Sequence, residues 1–200
     1  CPPLLRINGR PVVNFASNDY LGLAQDEELT AAAREATTRH GTGSASSRLI
    51  SGSSSPHLEL EEYIAEWKGV EAALSFSSGY AAAVGTLGSL LQKDDVVILD
   101  KLCHASLIDG ARQSGATLRV YPHNNLRKLA RLLTDNRANL PADGRLLVVT
   151  ESVFSMDGDR APLLEIVELV EQHGALLLLD EAHAVGVLGS TGQGLAEELG

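Results

Sequence analysis

Apolar and polar positions follow two rhythms along the 200 residues. Short runs with few polar interruptions, Ala72 to Phe76, Val96 to Asp100, Leu118 to Tyr121, Leu146 to Thr150 and Leu176 to Asp180, predict strands covered on both faces, as in a parallel sheet. Between them the spacing turns helical over Tyr80 to Leu91, Ala105 to Ser114, Asn125 to Leu133 and Pro162 to His173. The last has Pro162 in its first turn and Gly174 past its end. This β-α-β-α alternation predicts an α/β fold, a mostly parallel doubly wound sheet with helices on both faces. Ahead of the sheet, Glu27 to His40 predicts a helix that stops at Gly41. Pro56 to Trp67 predicts another, with Ser55 as cap and Leu60, Ile64 and Trp67 as its core-facing stripe. The intervening GTGSASSRLISGSSS is either a flexible linker or a backbone loop that closes on an anion, and Arg48, Leu49 and Ile50 argue against a pure linker.

Composition narrows the function classes. With 44% hydrophobic and 21% charged residues the chain holds one full core. A net charge of -10 disfavours a surface that tracks phosphate backbones, so no nucleic-acid partner is expected. Cys1 and Cys103 suggest neither a disulfide framework nor a metal site, which fits a reducing cytoplasm. No apolar run approaches the roughly 18 to 20 residues of a membrane span, and CPPLLRINGR lacks the apolar centre of a signal peptide, so no membrane partner is expected. An opening on Cys1 and a close on Glu197 to Gly200 suggest a piece of a longer protein.

The strand ends carry the chemistry. LLLLDEAHAVG, Leu176 to Gly186, leaves Asp180 and His183 at the carboxyl end of a buried strand, where open parallel sheets bind ligands. D-E-A-H is also a helicase signature, but that reading requires a Gly-Lys phosphate loop, and the chain has no Gly-Lys pair. The other reading is a pyridoxal-phosphate site. There Asp180 pairs with a protonated pyridine nitrogen, which keeps the ring an electron sink, and His183 donates to the phenolic oxygen. SFSSGYAAAVG, Ser75 to Gly85, leaves a strand and opens a helix, so Ser77 or Ser78 and the amides of Gly79 and Tyr80 could meet a phosphate. DKLCHASLIDGA puts His104 on the same edge, placed to stack on a ring and handle a proton. TESVFSMDGDRAPL adds Glu151 and Ser155 as ligands, with Asp157 and Gly158 as turn residues. Each motif alone also has an ordinary reading as a cap, a turn or polar surface.

Taken together, FASNDYLGL (15–23), GTGSASSRLISG (41–52), SSGYAAAVG (77–85), DKLCHASLIDGAR (100–112), TESVFSMDGDRAPL (150–163) and LLLLDEAHAVGVLG (176–189) resemble the alpha-oxoamine synthases, a family of fold-type I pyridoxal-phosphate enzymes. Ser78, Gly79 and Tyr80 make the phosphate turn look most like the biotin-pathway branch. The resemblance implies a C-acyltransferase with pyridoxal 5'-phosphate as cofactor. It would condense L-alanine with pimeloyl-CoA or a pimeloyl carrier-protein thioester, losing carbon dioxide and thiol to give 8-amino-7-oxononanoate. It further implies that His104 stacks on the pyridine ring, that Asp180 and His183 contact its nitrogen and phenolic oxygen, and that Glu151 and Ser155 support the cofactor. Asn18 would lie near the substrate carboxylate, and loop 41–52 near a homodimer interface. Residues 1–55 are expected as an N-terminal segment and 56–200 as the first part of the large domain. The family's imine-forming lysine and C-terminal small domain would lie beyond, since none of Lys68, Lys93, Lys101 and Lys128 matches that lysine. Two alternatives stay open: another alpha-oxoamine synthase, similar to 2-amino-3-ketobutyrate ligase or 5-aminolevulinate synthase, or a non-catalytic binding module.

Overall fold

Asn8 and Gly9 both hold left-handed backbone, at φ 51° and 78°, and turn strand β1 (Leu4–Ile7) back into β2 (Arg10–Val13). This hairpin begins the computed structural model, which describes residues 4–200. The chain then divides into two compact units, Cys1–Leu74 and Ser75–Gly200. In the first, helix α1 (Glu27–His40) starts at Asp26, whose side chain accepts from the Leu29 amide at 2.9 Å. Glu27 and Glu28 sit at its positive end, Arg39 and His40 at its negative end, and Gly41 follows. Helix α2 (Ser55–Lys68) is capped by Ser54, not by the expected Ser55. The Ser54 side chain takes an amide of the first turn, and His57 Nδ1 takes the Ser54 amide at 3.2 Å, which leaves Ser55 and Pro56 inside the first turn.

The glycine- and serine-rich segment before α2 is an ordered turn. The amides of Ile50, Ser51 and Gly52 all donate to the Ser47 carbonyl, and a Cβ at Gly52 would stand 1.9 Å from the Ser46 oxygen. Arg48 forks onto Glu61 of α2 at 2.5 and 2.9 Å. The α2 stripe departs from expectation, since no residue of α2 is buried and Leu60 is 50% exposed. Helical periodicity says which face is apolar, and it is silent about whether a partner covers that face.

The second unit contains the core. Helix α3 (Gly79–Leu90) leads into β3 (Val96–Asp100), followed by α4 (Ala105–Gln113), β4 (Thr117–Tyr121), α5 (Leu126–Arg137), β5 (Leu146–Glu151), α6 (Leu163–Gln172), β6 (Leu176–Asp180) and a last short helix, α7 (Leu195–Leu199). The strands form one sheet in the order β4-β3-β5-β6, all neighbours parallel. Alternate side chains point to opposite faces. Ile98, Tyr121 and Val148 join Leu129 and Leu133 of α5 and Ile166 and Val170 of α6. Val97, Leu99, Leu147 and Val149 join Ala83 and Leu87 of α3 and Leu107 and Ala111 of α4. Helices on both faces explain why β3 and β5 are buried at every position. The fold is the α/β architecture with a parallel sheet that the alternation of elements predicted.

Two boundaries differ from the sequence reading. Ala72 to Phe76, expected as a strand, forms none. It crosses the division between the units, and no described strand pairs with it, so its β-forming residues have no ladder to join. The compact units part at 74/75, which groups α2 with the N-terminal residues, whereas the sequence reading began the large domain at 56. Among the described residues no helix is long and apolar enough to cross a membrane.

Helices α3 and α4 approach closely at Gly110, where a Cβ would meet Leu87 Cδ1 at 2.9 Å and the Ala83 carbonyl at 3.0 Å. Gly110→Ala should therefore destabilise the full-length protein by about 1–3 kcal/mol despite alanine's better helix propensity. The midpoint of urea unfolding measures it, and an unchanged or raised midpoint would mean that the helices separate at no cost.

Candidate active site

A parallel sheet sends all its strand ends to one edge. Asp100, Tyr121, Glu151 and Asp180 close β3, β4, β5 and β6 there, with Asp100 opposite Tyr121 and Glu151 opposite Asp180 in the ladders. The loops that follow must carry their residues to the same edge, the crevice side of the fold.

Glu151 is the hub of this edge. It is 2% exposed, and its carboxylate accepts the backbone amide of His104. Burial pushes its pKa up and the Asp180 charge adds to this, against the His104 and Ser155 amides, which favour the charged form; the net shift is upward. Ser152, fully buried, extends the ladder past β5: its amide and hydroxyl donate to the Asp180 carbonyl at 2.8 and 3.2 Å. The backbone of Asp180 is thereby fixed beside Glu151.

The expected site residues fall on this frame as follows. His104 caps α4, with Nδ1 accepting from the Ser106 amide at 3.2 Å, and its ring is exposed. An Nδ1 that accepts leaves the ring proton to Nε2. Asp180 is half-buried and turns Oδ1 to the Ala182 amide at 2.9 Å, so the capping role weighed from the sequence is present. His183 lies three residues past β6, half-buried, and Ser155 is exposed in the turn after β5.

Ser78 caps α3, its hydroxyl accepting from Ala81 at 3.1 Å, and Gly79 and Tyr80 form the first helical positions. Helix α3 delivers the chain to the start of β3, and 12 helical residues span about the length of a strand, so its first turn lies toward the carboxyl edge. The Tyr80 hydroxyl reaches Asp109 of α4 at 3.3 Å. Nothing lies within 4 Å of a Cβ built on Gly79, and Gly79 is absent from the positive-φ glycines, so neither packing nor backbone conformation requires glycine there. Asn18 belongs to the N-terminal unit, exposed, its Oδ1 accepting from the Tyr20 hydroxyl at 3.4 Å.

Sequence reasoning missed several contributors. Glu181, the second carboxylate of the apolar run's end, accepts the Ala196 amide at 3.1 Å and braces the start of α7. Glu197 gathers the amides of Thr191 and Gln193 and the hydroxyls of Ser190 and Thr191, which hold its pKa down at about 2 and fold the glycine-rich loop after His183. Cys103 is a core thiol that donates to the Val149 carbonyl at 3.6 Å, its pKa pushed up by burial. Asp100, His123 and Asp159 form a bonded chain along the same edge. Only its letters, an Asp at a strand end and a His after one, could have signalled it.

The aminotransferase class I and II family profile matches residues 10–199. The chain is 52% identical over 198 residues to an 8-amino-7-oxononanoate synthase from Anaeromyxobacter sp. (strain K), and 52% identical over 190 residues to one from Geobacter sulfurreducens. Each alignment takes in 99% and 95% of this chain but 48% of the relative, so the chain spans about half the length of the curated relatives it matches. Among solved structures, Sphingomonas wittichii serine palmitoyltransferase superposes with a TM-score of 0.91 at 38% identity, over 98% of this chain and 48% of that one. An 8-amino-7-oxononanoate synthase from Francisella tularensis superposes with a TM-score of 0.76 at 31% identity, over 92% and 49%.

Glu151→Ala should leave the His104 amide without its acceptor and cost about 1–3 kcal/mol. The raised carboxyl pKa fixes the sign with pH. Ionisation of the folded state is penalised, so the wild-type advantage over Glu151→Ala shrinks as pH climbs from the group's ordinary 4.5 through its raised value. Urea midpoints of both proteins across that range test this, and an advantage that grew with pH would contradict it.

Proposed function

Because this chain belongs to the aminotransferase class I and II family, we propose that it carries the cofactor-holding part of a pyridoxal-phosphate-dependent acyltransferase that condenses L-alanine with a pimeloyl thioester to 8-amino-7-oxononanoate. The observation that carries the reading is the shared carboxyl edge. Asp180 pairs with Glu151 in the ladder, Glu151 accepts the His104 amide, Ser155 lies in the turn that leaves Glu151, and the open first turn of α3 lies toward the same edge.

The donor set suits the cofactor. A glycine with no structural need at a helix start leaves room for a phosphate against the amides of Gly79 and Tyr80, with the Ser78 hydroxyl beside them. The Asp180 carboxylate, whose backbone carbonyl is held by the two Ser152 bonds, would keep the proton on the pyridine nitrogen. His183 would donate to the phenolic oxygen, and the exposed His104 ring would cover one ring face, with its Nε2–H left for proton handling. Glu151 and Ser155 keep the floor of the site in register. When bound, pyridoxal phosphate supplies the electron sink for the charge left at a substrate's alpha carbon. The choice of pimeloyl branch is supported by 52% identity to proteins named 8-amino-7-oxononanoate synthase, against 38% to the palmitoyltransferase. Homodimer assembly is supported by Leu49 and Ile50, which are 92% and 78% exposed on the loop that the family places at its interface.

A second reading, a relative that joins serine to another acyl-CoA, is favoured by the TM-score of 0.91 to serine palmitoyltransferase. Thiol release by the full-length protein separates the two. Alanine with pimeloyl-CoA should be turned over fastest, and faster turnover of serine with palmitoyl-CoA would select the second reading.

Two substitutions test the site itself. Gly79→Ala should hold or raise stability, by up to about 1 kcal/mol, while weakening pyridoxal phosphate binding in an absorbance titration. Unchanged affinity would remove the phosphate from that turn. Asp180→Asn should fold normally and lose on the order of 10² or more in kcat, because charge stabilisation is usually the largest catalytic term. Near-normal turnover would leave Asp180 as a turn cap.

A further inference from the structure

His123, in the loop between β4 and α5, stands outside every role assigned above. Its Nδ1 lies 3.0 Å from Asp100 Oδ1 and its Nε2 2.7 Å from Asp159 Oδ2. Carboxylates only accept, so a ring bonded to both must be protonated on both nitrogens; a neutral imidazole would turn a lone pair on one of them. Asp100, whose side chain is fully buried, also accepts the Leu102 and Asn124 amides at 2.8 Å each. The Asn124 side chain adds bonds to Asp159 Oδ2 at 3.0 Å and to the Arg160 carbonyl at 3.3 Å. Phe154 meets the His123 ring edge-on, centroids 4.4 Å apart.

The two carboxylates belong to two different turns. Asp100 starts the one that ends at His104. Asp159 closes the one that carries Ser155, with the Phe154 amide donating to the Asp159 carbonyl at 3.0 Å and Gly158 to Phe154 at 2.8 Å. We propose that doubly protonated His123 is a positioning residue that ties these turns together and so sets where His104 and Ser155 stand at the carboxyl edge. Glu151, after which the Ser155 turn leaves β5, already joins the two turns at their inner ends by accepting the His104 amide. Turns joined at one point can pivot about it, and a second tie through His123 removes that freedom. The tie rests on geometry alone; its value for positioning rests on the cofactor reading above.

Protonation sets when the tie holds. Burial lowers the His123 pKa, but the hydrogen bonds to Asp100 and Asp159 and their charges outweigh it, and the net shift is upward. Asp100 from β3 and Asp159 from the β5–α6 turn are the charged groups that face the ring, with Asn124 and Phe154 adding none. A raised pKa means that the tie is complete below the ordinary 6.5 and is lost as pH rises through the folded value.

Limited trypsin digestion of the cofactor-free full-length protein reads both turns, because Lys101 and Arg160 are exposed on them, while Arg39 on α1 serves as internal reference. His123→Gln, which can serve only one carboxylate, should speed cleavage at Lys101 and Arg160 together by about tenfold, relative to Arg39, as charged hydrogen bonds are lost from a local opening. Wild type should show the same paired rise at alkaline pH. Asp159→Asn should keep the tie at low pH and release it at a lower pH than wild type, since one anion fewer favours the imidazolium. Acceleration at Arg160 alone, equal rates in wild type and His123→Gln, or an unmoved release pH in Asp159→Asn would each overturn the tie. If His123→Gln does not fold, the Asp159→Asn profile decides. In the same proteins, His123→Gln should weaken pyridoxal phosphate binding about tenfold although it is not a cofactor ligand. Unchanged affinity would overturn positioning, whereas paired cleavage in a wild type that binds no cofactor would support the tie and end the cofactor reading instead.

Discussion

A carboxylate buried between strand ends needs a hydrogen-bond donor, and Glu151 takes one from a separate turn, the backbone amide of His104. This one requirement couples loops that are about 50 residues apart in the chain. The His104 turn cannot keep that amide satisfied unless it stays beside the end of β5, from which the Ser155 turn departs. Asp180, opposite Glu151 in the ladder and fixed by the two Ser152 bonds, is drawn into the same frame. The edge is therefore a set of interlocked hydrogen bonds, in which the groups proposed to meet a cofactor are held by backbone contacts and their side chains are left to do chemistry.

The sheet beneath supplies the rigidity that such an edge demands. β3 and β5 are sealed on both faces by helices, and α3 lies close enough to α4 that Gly110 leaves no room for a methyl group. That packing fixes the start of α3 relative to the start of α4. Polar atoms at the strand ends take up the remaining freedom. The carboxylates Asp100, Glu151, Glu181 and Glu197 each accept at least one backbone amide from a loop or a helix start, so the acidic composition of the chain is spent in part on folding its turns. A net charge of -10 read as a surface property would miss this.

The sequence by itself determined the elements that depend on local or periodic signals. β3 and β6 begin and end where their apolar runs do, Glu27–His40 is bounded by Asp26 and Gly41, and α3, α4, α5 and α6 agree with their helical patterns to within a few residues. Apolar strands on an alternating β-α plan also dictated a parallel sheet, because only such a sheet buries both faces, and a parallel sheet places every strand end on one edge. That Asp180, Glu151 and His104 share one edge was legible for that reason. Tertiary structure alone decided whether an apolar segment finds a partner. Ala72–Phe76 is β-forming and unpaired among the described residues, and the α2 stripe at Leu60 is half exposed. It alone decided, too, which polar groups meet across the chain. Asp100, His123 and Asp159 lie 23 and 36 residues apart, and Glu151 is 47 from His104; no periodicity encodes a hydrogen bond over such separations, which exists only once the sheet has brought the strand ends together.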